Sequence, residues 1–131
     1  AAQEIKTPMW QGTVDALCVD LYDHEAAAPV LDSAEFYADC RALLSENGCM
    51  TVNLFGRASS FTRSVEQMTA AFGEDALWSF KPTREGNTVV LAQRTPSRFK
   101  RGELAARCAD VQQRWGLPTA KWVRGFKPLA S

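Results

Sequence analysis

The sequence predicts an α/β domain, and three features carry that prediction: short apolar runs alternating with amphipathic stretches, a hairpin signature late in the pattern, and a length suited to one domain. Strands that alternate with helices argue for parallel βαβ units, and the hairpin argues for an antiparallel pair closing one edge of the sheet. The 131 residues are 46% hydrophobic and 23% charged, which suits a folded domain and excludes disorder, collagen-like repeats and coiled coil.

Residues 1–13 lack periodicity and are punctuated by Pro8 and Gly12. Val14 to Leu21 then forms a nearly continuous apolar run, too short for a helix and expected to be a strand covered on both faces. It ends in the polar cluster Asp20-Leu21-Tyr22-Asp23-His24-Glu25, followed by a loop from Ala26 to Pro29. A helix comes next, capped by Asp32 or Ser33, with Glu35 in capping-box spacing from Asp32. Phe36, Tyr37, Cys40, Leu43 and Leu44 share one helical face, and Asn47-Gly48 is the expected stop.

Cys49 to Phe55 reads as a second strand ended by Gly56. Ser59 or Ser60 can cap another helix, with Phe61, Val65, Met68 and Phe72 on one face and Gly73 at its close. Ala76–Phe80 and Thr88–Gln93 are β-rich runs around the turn Arg84-Glu85-Gly86-Asn87. A last helix is expected from about Glu103 to Trp115, with Leu104, Cys108, Val111 and Trp115 on one side and Gly116-Leu117-Pro118 as its stop. The tail to Ser131 carries Trp122 and Phe126 and is expected to dock on the body. The whole, 1–131, reads as one partial domain, with a core over 14–95 and a helix and tail over 96–131.

Fifteen basic side chains balance fifteen acidic ones, so no basic field points to nucleic acid. Arg94, Arg98, Lys100, Arg101 and Arg107 crowd one stretch, read as a solvated face around a helix start. No apolar run approaches the roughly 18 to 20 residues of a membrane span. The cysteines (Cys18, Cys40, Cys49 and Cys108) form no C-x-x-C pair, and His24 is the single histidine, so no metal site is expected. Each cysteine lies in an apolar pattern and reads as a small core hydrophobe of a reducing, cytoplasmic protein. His24 reads as a surface loop residue, and Trp10, Trp78, Trp115 and Trp122 as core and edge packing.

Chemistry in an open parallel sheet sits beyond the carboxyl ends of its strands. Here those ends carry Asp20, with Asp23 three residues on, and Asn53. Carboxylates at that place can hold an amine or take a proton from it.

These residues resemble a family. Val19-Asp20-Leu21-Tyr22-Asp23, then Pro29, Glu35-Phe36-Tyr37, Leu43-Leu44 and Gly48 look like the spermidine synthase (polyamine aminopropyltransferase) family, which has the class I fold of S-adenosylmethionine-dependent methyltransferases. The run His24-Glu25-Ala26-Ala27-Ala28-Pro29 looks more like the spermidine-synthase-like proteins of bacteria. The resemblance, over roughly 14–95, implies the C-terminal half of a Rossmann-like class I methyltransferase sheet, with parallel strands and a closing antiparallel hairpin. It implies Asp20 as the base that deprotonates the attacking amine and as a contact to the donor, Asp23 and Tyr22 as substrate contacts, and Asn53 as a border of the pocket. The implied donor is S-adenosylmethionine or its decarboxylated form, with no metal, and the implied partner is a small amine.

The family's glycine-rich loop and the acidic end of its second strand have no counterpart in the 131 residues. The chain is therefore expected to start near the fourth strand of the full fold, as a truncated, proteolysed or degenerate half that is inactive alone. The edge left beside the first strand makes non-catalytic association, as a homodimer, one alternative role, and a binding module without turnover is the other.

Overall fold

A computed structural model describes residues 3–20, 32–55 and 58–130. Its elements are β1 (Val14–Asp20), α1 (Ala34–Leu43), β2 (Leu44–Phe55), α2 (Ala58–Phe72), β3 (Leu77–Ser79), β4 (Asn87–Gln93), α3 (Arg101–Trp115), α4 (Thr119–Arg124) and β5 (Lys127–Pro128), with 3-10 turns at Glu4–Lys6, Pro8–Trp10 and Glu74–Ala76. The strands form one mixed sheet in the order β1-β2-β4-β3-β5.

β1 and β2 are parallel and joined through α1, the βαβ unit that the alternating pattern predicts. Every other neighbouring pair is antiparallel. The hairpin β3–β4 does form, but it does not simply close an edge: β4 inserts between β2 and β3, and β5 pairs with the far side of β3. The sheet is thus mostly antiparallel with one parallel pair. Gly86 has φ 93 in the hairpin turn, a conformation that glycine adopts at no steric cost.

Alternation sorts the sheet into two faces. Met50 and Val52 of β2 and Val90 and Ala92 of β4 are fully buried and cluster with Phe36, Tyr37 and Cys40 of α1 and Met68 and Phe72 of α2. The helical faces expected around Phe36–Leu43 and Phe61–Phe72 are therefore those that pack. Cys49, Thr51 and Asn53 on the other face, and Val89 and Leu91 beside them, are only half-buried.

β1 departs from expectation. It lies at the expected edge of the sheet, but it is not covered on both faces: Ala16, Cys18 and Asp20 are exposed, and Leu17 and Val19 are half-buried. Cys18 is accordingly not a core residue, whereas Cys40 is. Burial pushes the Cys40 thiol up to about 12, with Asp39 adding to the shift.

Two element boundaries also differ. α1 ends at Leu43, and Leu44, expected on its face, is the first residue of β2. Asn47-Gly48 is not a helix stop but part of an irregularity in β2, where five residues advance against two of β1. This stretch is held from β4's end: Arg94 donates its guanidinium to the Leu44 carbonyl, Thr95 its hydroxyl to Glu46 O at 2.6 Å, and Arg94 N–H reaches Gly48 O at 3.1 Å. Gly48 suits the site because a Cβ there would lie 2.6 Å from the Val14 carbonyl oxygen. α2 is already helical at Ala58, so Ser59 and Ser60 lie inside it rather than at its cap.

The tail packs on the outer face. Phe126 stacks on Trp78 at 4.9 Å between centroids, and Phe99 lies 6.3 Å from the same ring. Trp78 also donates its indole N–H to Gln93 Oε1 at 3.2 Å. The other tryptophans are not core residues, since Trp10, Trp115 and Trp122 are 47–65% exposed. Three of the five basic residues are occupied: Arg94 by the Leu44 carbonyl, Arg98 by Asp75 at 3.3 Å, and Arg101 by the carbonyls of Val123, Arg124 and Phe126, capping the end of α4. Among the described residues, no helix is long and apolar enough to cross a membrane.

Candidate functional site

The one parallel pair defines the site. β1 and β2 run in register from Ala16↔Cys49 to Asp20↔Asn53, so the last pair brings together two of the residues singled out from the sequence. Both belong to the outer, incompletely covered face, at the carboxyl end where open α/β sheets take ligands. Tyr22, Asp23 and His24 lie outside the described residues, as do Pro29 and Gly56.

Asp20 is exposed, and its carboxylate has no hydrogen bond or ion pair among the described residues. Asn53 is half-buried and accepts at Oδ1 from Asn87 Nδ2 at 3.1 Å. That bond fixes the amide and leaves Asn53 Nδ2 as a donor. An unengaged carboxylate beside an oriented amide can take a proton from an ammonium group, or hold it, while the amide donates to a neighbouring polar atom. Among the described residues, no cluster of histidine, cysteine or carboxylate groups is arranged to hold a metal.

A second carboxylate has a role that sequence spacing did not reveal. Ser33, not Asp32, caps α1 by accepting from Phe36 N at 3.1 Å, which displaces Glu35 from the expected box. Asp32, whose side chain is 10% exposed, instead accepts from the Tyr37 hydroxyl at 2.8 Å and the Ser64 hydroxyl at 3.0 Å, with Arg63 Nε at 3.9 Å. Gln67 Oε1 completes the junction by accepting from Ala34 N at 3.1 Å. Burial, then the hydrogen bond to Asp32, pushes the Tyr37 phenol well above its ordinary range, so it remains a neutral donor. The cluster ties α1 to α2 and anchors the chain where it enters α1. Its one sequence signal is Ser64, a polar residue between Phe61 and Met68 on an otherwise apolar helical face.

No protein-family model matches this chain. It is similar to the polyamine aminopropyltransferase of Chromobacterium violaceum, 26% identical over 120 residues that cover 91% of this chain and 46% of the relative. The corresponding protein of Neisseria meningitidis serogroup A is 25% identical over 120 residues, covering 91% and 45%. Among solved structures, a probable spermidine synthase from Corynebacterium glutamicum matches with a TM-score of 0.64 and 16% identity, over 94% of this chain and 47% of that one. The spermidine synthase of Thermotoga maritima matches with a TM-score of 0.58 and 14% identity, over 79% and 37%. The chain spans a little under half the length of its curated relatives. The structural matches share the fold, and the curated relatives align at 25–26% identity across 91% of this chain. The chain resembles the polyamine aminopropyltransferases in sequence and the spermidine synthases in fold.

Proposed function

We propose that the protein works as a spermidine-synthase-like transferase, moving an aminopropyl or methyl group from decarboxylated S-adenosylmethionine or S-adenosylmethionine to an amine or another small acceptor. The carrying observation is Asp20, unengaged among the described residues, beside Asn53 at the carboxyl end of the parallel pair, in a chain similar to polyamine aminopropyltransferases. A further fold match, a spermidine synthase crystallised with the transition-state analogue AdoDATO, supports the same reading.

The donor, when bound, supplies a carbon made electrophilic by its sulfonium. An exposed carboxylate suits that positive charge and the ammonium of an acceptor, so Asp20 fits both contacts. In this reading Asp20 takes the proton of the acceptor ammonium. The nitrogen lone pair then forms the new C–N bond as the C–S bond breaks. Asn53 Nδ2 orients the acceptor, and the substrate contacts expected of Tyr22 and Asp23 lie outside the described residues. A reducing, cytoplasmic setting belongs to the same reading, resting on four cysteines that each lie within an apolar sequence pattern.

The test is a transfer assay with decarboxylated S-adenosylmethionine and a short aliphatic diamine, run on the longest polypeptide that carries this sequence. Asp20→Asn is expected to lower turnover about 10²–10⁴-fold, the contribution of a positioned base. Unchanged turnover would remove Asp20 from the chemistry.

A second reading is favoured by the position of β1 at the sheet edge with exposed Ala16 and Cys18: the chain pairs with another copy along that edge. Light scattering over a concentration series decides it, because a strict monomer throughout excludes the homodimer.

A further inference from the structure

A cleft of about 650 Å³ opens at the other flank of the sheet, between the start of α2, the β3–β4 hairpin and the α4–β5 corner. Among the described residues, four cations line it, Lys81, Arg101, Arg124 and Lys127, and no carboxylate does. In a chain whose charges balance, this is a local surplus of one sign. Arg101 is committed to the carbonyls of Val123, Arg124 and Phe126. That arrangement neutralises acceptor oxygens that would otherwise repel an anion.

Lys81, Arg124 and Lys127 have no side-chain hydrogen bond or ion pair among the described residues. They are also held close together. Lys127 pairs in register with Ser79, two residues before Lys81. Gly125, between Arg124 and the β5 strand, lies so near Lys81 that a Cβ there would be 2.8 Å from the Lys81 Cβ. The floor is apolar, formed by Phe61, Phe80, Pro82 and Leu129. Like charges gathered over low-dielectric walls repel one another and focus a positive potential into the opening. A dianion removes that repulsion.

We infer that this cleft binds a small phosphorylated ligand, its phosphate held by Lys81, Arg124 and Lys127 and its apolar body against Phe61 and Phe80. A guanidinium and two ammonium groups suit a phosphate dianion, and the volume is that of an ordinary small-molecule site. The cleft lies at the same end of the sheet as Asp20, but β1 and β3 are three strand spacings apart, about 14 Å at about 4.8 Å each. Its charge excludes a polyamine. The site therefore stands independently of the role proposed for Asp20.

Calorimetric titration of the chain with 1-naphthyl phosphate, 1-naphthol and inorganic phosphate tests it, since the probes separate the apolar body from the anionic head. The phosphate ester is expected to bind at least about tenfold tighter than either part and to weaken as salt is added. Lys81→Glu with Lys127→Glu is expected to weaken it by at least about tenfold. Both side chains are exposed, so circular dichroism should match the parent; Lys81→Gln with Lys127→Gln provides a milder pair if it does not. Equal affinity for naphthol and its phosphate, no binding of the ester at millimolar concentration, or affinity unchanged in the folded variants would overturn the inference.

Discussion

The two faces of the sheet come from the same strands and meet different surroundings. Toward α1 and α2, the β2 and β4 residues Met50, Val52, Val90 and Ala92 are fully buried. One residue along each strand, Thr51, Asn53, Val89 and Leu91 are half-buried, and on β1 Cys18 and Asp20 are exposed. The inner face holds the fold together through excluded water and close packing. The outer face keeps its polar groups available, and Asp20 and Asn53 belong to it. Function can be placed on this sheet without disturbing its core because adjacent residues of a strand answer to different demands.

That contrast can be broken most directly at β2. Met50→Ala should cost about 2–5 kcal/mol in denaturant unfolding, as for other buried large side chains cut to alanine. A loss near zero would mean that the inner face does not carry the stability.

Next comes the polar junction behind that face. Asp32→Ala strands the hydroxyls of Tyr37 and Ser64 and should cost about 1–3 kcal/mol. Ser64→Ala, which removes one donor and leaves the carboxylate paired to Tyr37, should cost less; the reverse order would place the stabilisation elsewhere.

The buried ionisable groups sharpen the comparison through pH. The folded Cys40 thiol titrates at about 12 against an ordinary 9.0, and Tyr37 is likewise raised. The unfolded chain therefore loses these protons first, and stability falls as pH rises above about 9 towards the folded values. Cys40→Ala should flatten that decline, and an unchanged slope would place the titration elsewhere. The smallest effect is expected from Thr51→Ala, a loss below about 1 kcal/mol, typical of an incompletely buried strand position.

Much of this fold was legible in the sequence because its helices obey a strict apolar period. Phe36, Tyr37, Cys40 and Leu43 predict one buried face, and all four are buried. The hairpin was legible from Gly86, which needs its positive φ. Leu44 was misread because its spacing from Cys40 fits a helix, while hydrogen bonds from Arg94 and Thr95 decide for strand. β1 was misread because an apolar run states that a strand can be buried on both faces, not what is there to cover it.

The candidate site shows the same division. Asp20 and Asn53 were each legible as strand-end residues, and their adjacency is a matter of register. Asp32 looked like a cap because its partner Ser64 lies 32 residues away. Lys81 and Lys127 gave no local signal at all, since β3–β5 pairing alone unites them.

The irregular start of β2 has a consequence for the order of assembly. The carbonyls of Leu44, Glu46 and Gly48 take their donors from Arg94 and Thr95, with sequence separations of 50 for Leu44 and 49 for Glu46. Closing so large a loop is slow compared with forming α1 or the local hairpin. The regular half of β2 can pair with β1 early, while its first half waits for the end of β4 to arrive. The seam at 44–48 is therefore among the last parts of the sheet to form, and Arg94 acts on the molecule's unfolding rate more than on its folding rate.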